Sequence, residues 1–285
     1  MGKIAVIGGS GLYSMPGLEV VAEKEIETPF GDPSAPIIVG RFGNQEVIFL
    51  ARHGIGHHIS PTEVNYRANI YALKSLGAET ILGISACGSL REDFAPGDIV
   101  IPDQLFDFTR DRARSFFTGG LVAHVNVANP FCSGLMESVY QAVKLTTDAV
   151  HKGGAYITIE GPRFSTRAES NTYRAWGMSI IGMTTSPEAF LAREAEMCYA
   201  TISHVTDYDV WHVSEKPVTV DMVVEVLNRN TSLVRQAVKN LISDLPEDRE
   251  CECQNAMADA FITDPEMIPE DTRQRLHLLV NKYLD

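Results

Sequence analysis

CYATISHVTDYD, residues 198–209, is the stretch on which the fold reading turns: apolar and small residues alternate until two carboxylates close the run, with Tyr208 between them. Alternation of this kind marks a β-strand, on which residues i and i+2 face the same side. Asp207 and Asp209 are therefore expected to project together from a strand end, which is unfavourable unless a hydrogen-bonding group lies between them. A pair that merely faces water is the plain alternative. Similar runs occur at KIAVIGG (3–9), EVIFLARHG (46–54), TILGISACGS (80–89), DIVIPDQ (98–104), AYITIEGP (155–162) and SIIGMTT (179–185). Between and after them lie longer amphipathic segments: EVNYRANIYALKSLG (63–77), stopped by Gly77; SPEAFLAREAEMC (186–198), with Ser186 as N-cap and Pro187 at N1; and TVDMVVEVLNRNTSLVRQAVKNLISDL (219–245). Short strands alternating with amphipathic helices predict an α/β protein.

After residue 245 the composition turns acidic and the strand signal is lost, so the chain is expected to divide into a domain over 1–245 and an acidic linker with a helical tail over 246–285. PEDTRQRLHLLVNKYLD (269–285) is amphipathic and should pack on its own domain or on a neighbour.

Several expected strands end in small residues and hydrogen-bond donors. IGGSGLY (7–13) offers three glycines and the Ser10 hydroxyl, which can approach an anion or form an ordinary turn. It fits neither the dinucleotide fingerprint, which needs a glycine where Ser14 stands, nor the P-loop. LARHGIGHH (50–58) puts Arg52 and His53 at a strand end, where the arginine fork suits phosphate or carboxylate and a salt bridge is the competing use. ISACGSL (84–90) adds Ser85 and Ser89, and GMTTSPE (182–188) adds Thr184 and Thr185 ahead of a helix N-terminus. Four donor-rich strand ends in one domain predict an oxyanion site.

A net charge of −13 over 285 residues argues against a nucleic-acid or anionic-membrane partner, so a small anion must be gripped locally. No stretch reaches the ~18 apolar residues of a membrane helix, and the opening MGKIAVIGGSG lacks a signal-peptide pattern, which makes a cytoplasmic location the default expectation. The cysteines, Cys87, Cys132, Cys198, Cys251 and Cys253, are scattered apart from CEC and lack pair-and-pair spacing, so reduced core residues and no metal are expected.

Together, IGGSGLY, ETPFGDPS, LARHG, NYRANIYALK, ACGSLRE, PGDIVIPDQ, IEGPRFSTRAES, MTTSPE and TDYD resemble, in order and spacing, the motifs of the trimeric purine nucleoside phosphorylase family, over roughly residues 3 to 245. The resemblance implies a single α/β domain with a central mixed β-sheet flanked by helices, a homotrimer or dimer of trimers, and phosphorolysis of a purine nucleoside without metal or organic cofactor, inorganic phosphate being a co-substrate. Carried over by motif, Ser10, Arg52, His53, Ser85, Ala86 (through its backbone) and Thr184 would hold phosphate. Met183 would lie under the ribose, Phe164 against the base, and Asp207, Tyr208 and Asp209 at the purine edge, while His124 in VAHVNVANPF would reach into a neighbouring subunit's site. Val220 and Val224 would line an apolar 5′ pocket that suits a methylthio group better than a hydroxyl. The 6-oxopurine enzymes of the family carry glutamate where Ser165 stands and asparagine where Asp207 stands, so the substrate implied is 5′-methylthioadenosine, with 6-oxopurine nucleosides as runner-up. Some archaeal relatives carry a C-terminal Cys-x-Cys thought to be redox active, which CEC resembles.

The chemistry agrees with these residue types. Cleaving an N-glycosidic bond builds positive charge on the ribose and negative charge on the leaving purine. Bound phosphate answers the first and is the nucleophile. A protonated Asp207 near N7 answers the second, while an ionised Asp209 accepts from the 6-amino group. A hydrolytic nucleosidase would not need the Ser10, Arg52, Ser85 and Thr184 set, and a non-catalytic nucleoside-binding module could keep it.

Overall fold

The computed structural model describes residues 3–9, 17–212, 219–245 and 250–284. Among them, β1 (Lys3–Gly8), β2 (Glu19–Lys24), β3 (Ile37–Phe42), β4 (Gln45–Ala51), β5 (Ala78–Ser89), β6 (Ile99–Ile101), β7 (Gln104–Phe108), β8 (Val150–Lys152), β9 (Ala155–Ile159), β10 (Ile180–Gly182) and β11 (Cys198–Asp207) form one mixed sheet. The helices are α1 (Tyr66–Ser75), α2 (Ser133–Lys144), α3 (Arg167–Ala175), α4 (Thr185–Glu194), α5 (Val220–Asp244) and α6 (Glu270–Leu284). Every strand and helix expected from the sequence forms. β2, β3, β7, β8, α2 and α3 are not anticipated; of these, β2 exposes nearly all its side chains in an antiparallel pairing with β3, so no apolar alternation marks it, and β8 is three residues long. The start of α3 carries a Thr166–Glu169 capping box that is a legible signal.

β5 is the hub of the sheet. β11 runs parallel along one edge of it from Thr80 to Gly88, while the other edge is shared between β1, parallel to its first half, and β10, antiparallel at Gly88 and Ser89. All of β11 is buried, as in strands covered on both faces by helices. Helix stops and starts follow local chemistry. Asn65 caps α1 by accepting from the Ala68 N–H, and Gly77 ends it at φ +82°, a conformation glycine adopts without a Cβ penalty. In α4, Ser186 is extended (φ −103°, ψ 136°), so the regular helix starts at Pro187 as the sequence implies, although Ser186 Oγ caps nothing among the described residues.

The tail packs on its own domain. Cys253, Met257, Ala260, Ile268, Leu276, Leu279 and Val280 belong to the principal core. Glu196 (φ +56°) anchors the tail by accepting from the Met257 N–H (3.1 Å), Lys282 Nζ and the Tyr283 hydroxyl. One reading of the sequence needs correcting here: Cys132, Cys198, Cys251 and Cys253 are not scattered, because the fold gathers their Sγ atoms within 4.8 Å of one another. Spacing along the chain is blind to that, since the four thiols come from the start of α2, β11 and the tail. No helix among the described residues is long and apolar enough to cross a membrane.

Candidate active site

At the C-terminal end of β5, Ser85 is buried and its Oγ has no hydrogen-bond partner among the described residues; the same holds for the Tyr156, Thr185 and Ser186 hydroxyls. Buried hydroxyls left unpaired are uncommon and call for a ligand or water. They belong to one region: β10 brings Gly182 so close to β5 that a Cβ there would overlap the Tyr156 hydroxyl and sit 3.3 Å from the Ala86 carbonyl. Thr184 follows directly, buried, as the residue preceding α4. Ser85 and Ala86 thus lie on β5 beside the end of β10, from which Thr184 leads into the N-terminus of α4, a place that favours an anion. Ser10 lies outside the described residues.

Arg52 behaves differently from the simple expectation. Its guanidinium is 3% exposed and grips Glu188 of α4 through Nε and Nη2 (2.7 and 2.8 Å), while Nη1 donates to the Ile84 carbonyl and Nη2 to that of Ile7. Burial opposes its charge, but Glu188 more than compensates and holds the guanidinium firmly protonated. The competing use foreseen for Arg52, an ion pair, is the one formed, and it is buried. One Nη1 hydrogen is left without a partner among the described residues. His53 Nδ1 lies 2.9 Å from the Ile59 carbonyl, which can only accept, so Nδ1 is the protonated nitrogen of the neutral ring and donates to it. Burial, then the Arg52 charge, pushes its pKa down to about 4, so Nε2 is an unprotonated acceptor near neutral pH.

Three residues further along β5, about 10 Å at strand rise, are the two carboxylates. A Cβ on Gly88 would meet Asp207 Oδ1 at 2.9 Å and Asp209 Cβ at 3.3 Å. Strand alternation does not produce this pairing. The register of β11 shifts between Val205 and Asp207, the strand ends at Asp207, and Asp209 takes a left-handed conformation at φ +50°. In that turn the Asp209 N–H donates to Asp207 Oδ1 (2.7 Å), and the Thr206 hydroxyl donates to Asp207 Oδ2 (2.6 Å). Burial pushes the Asp207 carboxyl up to about 6 despite those donors, with the Asp209 charge adding to the rise. Burial also raises Asp209; Ser170 and Ser165 temper the rise, and Glu169 adds to it. Asp209 Oδ2 and the nearby Ser165 and Ser170 hydroxyls are buried without a partner at full hydrogen-bond geometry among the described residues, a second set of unsatisfied polar atoms.

Between the two ends, Met183 packs so tightly under the 160s loop that a Cβ on Gly161 (φ +69°) would be 2.6 Å from its sulfur. Phe164 is 38% exposed on that loop. Tyr208 departs from its expected place: its ring stacks on His212 and meets Trp211 edge-on, and its hydroxyl donates to the Glu92 carbonyl, so it packs outside the aspartate pair. The side chain of Val220 lies outside the description, and Val224 is exposed on α5. His124 is exposed, held by its N–H donating to the Ala260 carbonyl (2.8 Å).

The sequence reading missed Glu188, Thr206, Ser170 and above all Arg112. Arg112 is buried and donates to Glu160 Oε1, the Tyr66 hydroxyl and the carbonyls of Met183, Ser186, Ile159 and Glu160. It ties the loops on both sides of Met183 together, yet it sits in DFTRDRARSFF, where nothing distinguishes it from its neighbours Arg110 and Arg114.

The phosphorylase superfamily model matches residues 3–243. The S-methyl-5′-thioadenosine phosphorylases of Koribacter versatilis and Geobacter sulfurreducens are 48% and 49% identical, each over 99% of this chain and over 96% and 99% of their own lengths. The tail beyond residue 245 is thus aligned too. Among solved structures, a methylthioadenosine phosphorylase from an antarctic soil metagenomic library superposes with TM-score 0.91 at 44% identity (97% of this chain, 98% of that one). The Schistosoma mansoni methylthioadenosine phosphorylase in complex with adenine does so with TM-score 0.84 at 38% identity (90% and 96%). A sheet branching at β5, with unpaired hydroxyls at one point of that strand and a raised carboxylate pair at the next, agrees with these likenesses: the chain belongs to the phosphorylase superfamily.

Proposed function

We propose that the chain uses inorganic phosphate to cleave 5′-methylthioadenosine to adenine and 5-methylthioribose 1-phosphate, as a cytoplasmic homotrimer serving purine and methionine salvage. The observation that carries this reading is the pair Asp207 and Asp209, buried together beside Gly88 with raised pKa values and an unsatisfied Oδ2. Asp207, at about 6, holds or shares a proton near neutrality and donates it to N7 as the glycosidic bond breaks. Asp209 accepts from the 6-amino group, and the coupled pair titrates as a unit. The small Ser165, with glutamate absent there, leaves the 6-amino edge free of a competing carboxylate.

At the other end, the Ser85, Thr184 and Thr185 hydroxyls, the Ala86 backbone and the N-terminus of α4 receive phosphate, with Ser10, whose motif follows β1 in the sequence, completing the set. Arg52 contributes its remaining Nη1 hydrogen, and its ion pair holds α4 against β4 so that these donors stay aimed. His53 Nε2 accepts a hydrogen bond from the hydroxyl of monohydrogen phosphate, which keeps its proton. Phosphate itself supplies the nucleophile and the charge that stabilises the ribosyl cation, so this chemistry requires no further cofactor. Val220 and Val224 of one subunit and His124 of its neighbour close the 5′ pocket, which accounts for the exposure of Val224 and His124 within a single chain.

The test is release of adenine from methylthioadenosine with and without phosphate. Strict dependence, with the sugar recovered as its 1-phosphate, is expected. Equal release in both conditions identifies a nucleosidase, and binding without turnover a non-catalytic module.

A further inference from the structure

Four of the cysteines converge at the end of β11 opposite the carboxylates. Cys132 is the N-cap of α2, Cys198 opens β11, and Cys251 and Cys253 flank the start of the tail's first 3-10 turn. All four Sγ atoms lie within 4.8 Å of one another, three of these residues are buried, Cys251 is half-buried, and all are free thiols. We propose that Cys132, Cys198, Cys251 and Cys253 bind one zinc ion in a closed, four-thiolate structural site that clamps the tail to the sheet.

The geometry favours a shared ion. In a tetrahedral zinc site with Zn–S of about 2.3 Å, sulfurs stand about 3.8 Å apart. A quartet already within 4.8 Å, with Cys198 and Cys251 at 3.3 Å, reaches that arrangement by sulfur movements of a few tenths of an ångström to about one. A disulfide would require about 2.05 Å, and each would pair two sulfurs where all four here are mutual neighbours. Soft donors in tetrahedral number select zinc over magnesium, calcium or manganese, and four protein ligands leave no open position for catalysis.

The surroundings suit the charge. Four thiolates and Zn²⁺ carry a net −2, and each thiol releases its proton as the metal enters. Arg193 of α4 donates from Nη1 to Cys253 Sγ (3.2 Å), and its Nε is buried with no partner among the described residues. Cys132 stands where the free N–H groups and dipole of α2 favour a negative sulfur. Its own N–H is tied to the Tyr199 carbonyl (2.9 Å), so α2 and β11 hold two ligands in fixed relation before the tail arrives. Ligands drawn from three distant stretches make metal binding part of tail folding.

The experiment is metal analysis of the full chain, purified anaerobically under reducing conditions without a metal-affinity tag. About one zinc per chain is expected, with at least a tenfold loss of occupancy in Cys251→Ser/Cys253→Ser. Arg193→Met should weaken zinc affinity by about tenfold or more while leaving all four ligands in place. If the double variant does not fold, cobalt(II) titration of metal-stripped wild type decides: thiolate-to-cobalt charge transfer with the intense bands of tetrahedral cobalt is expected. Metal-free protein showing no such bands overturns the proposal. So does recovery of these cysteines as disulfides under the same conditions, or of iron as the bound metal.

Discussion

Asp207 concentrates the competing demands on this site. Its carboxyl titrates near 6 in the folded chain against an ordinary 3.8, because it is buried. Below pH 3.8 both states are protonated and nothing is lost. As pH rises towards 6 the unfolded chain releases a proton that the folded chain retains, and stability falls by about 3 kcal/mol. Asp207→Asn should therefore be more stable than wild type by up to about 3 kcal/mol above pH 6 and gain nothing near pH 3.5, as read from urea unfolding across that range. A pH-independent difference would remove the burial argument. The same substitution should move the ratio of kcat/KM for methylthioinosine over methylthioadenosine by at least about tenfold, more so with Ser165→Glu, because a site built on hydrogen bonds rejects the wrong edge strongly. Asp209→Ala should lower turnover of the adenine nucleoside without helping the inosine analogue. Arg52 calls for a different design. Removing it alone strands buried Glu188, so Arg52→Ala should cost about 3–5 kcal/mol of stability, whereas Arg52→Met with Glu188→Leu should recover most of that and still respond poorly to phosphate. If the double variant is no more stable than the single one by chemical denaturation, the ion pair is not what Arg52 is for.

At the scale of elements, β5 decides the site because it carries a different partner on each part of its edges. Gly182 lets β10 approach its neighbours, and Gly88 leaves room for the carboxylate pair. A methyl group at Gly88 would press on Asp207 Oδ1, Ile181 Cγ2 at 3.1 Å and Asp209 Cβ together. Gly88→Ala should cost about 1–3 kcal/mol through overpacking and cut kcat/KM for methylthioadenosine more than it raises KM for phosphate, since the anion end is three residues away. Equal losses at both substrates, in initial-rate measurements varying each in turn, would show that the two ends are not separable.

For the whole molecule, the tail is part of the core. Deleting residues 250–285 would strip Met257, Leu276, Leu279 and Val280 from the core, each worth about 1.5–3 kcal/mol when buried, and expose the apolar surface they cover. It would also free the strand-like segment that holds His124, where Ala123 bridges Phe261. The truncated chain should be insoluble or molten by near-ultraviolet circular dichroism, a result that a loosely attached appendage would not give. In the intact protein the proposed sharing of His124 between subunits makes activity depend on assembly. Dilution below the dissociation point of the proposed trimer should abolish turnover before the far-ultraviolet signal changes. A monomer by sedimentation that keeps full activity at the same concentration would refute a shared site.

What could be read without coordinates was whatever local pattern encodes. Apolar alternation located β1, β4, β5, β9, β10 and β11, Gly77 and Pro187 bounded helices, and the donors clustered at strand ends marked Ser85, Thr184 and the aspartates. These signals survive because backbone geometry repeats with a fixed period and the C-terminal ends of strands gather in one place. The partners of those groups were not legible. Arg52 meets Glu188 across 136 residues, Arg112 reaches six acceptors from an unremarkable loop, and Tyr208 turns outward because β11 shifts register before it ends. Asp207 and Asp209 do come together, but through a left-handed turn at Asp209 and the open space at Gly88, not through strand alternation. The cysteines are the plainest case: their spacing argues for unrelated core residues, and only the docking of the tail on α2 and β11 turns four of them into one cluster. Periodicity reports which face a residue presents; which distant side chain waits there is set by long-range packing, which has no period to read.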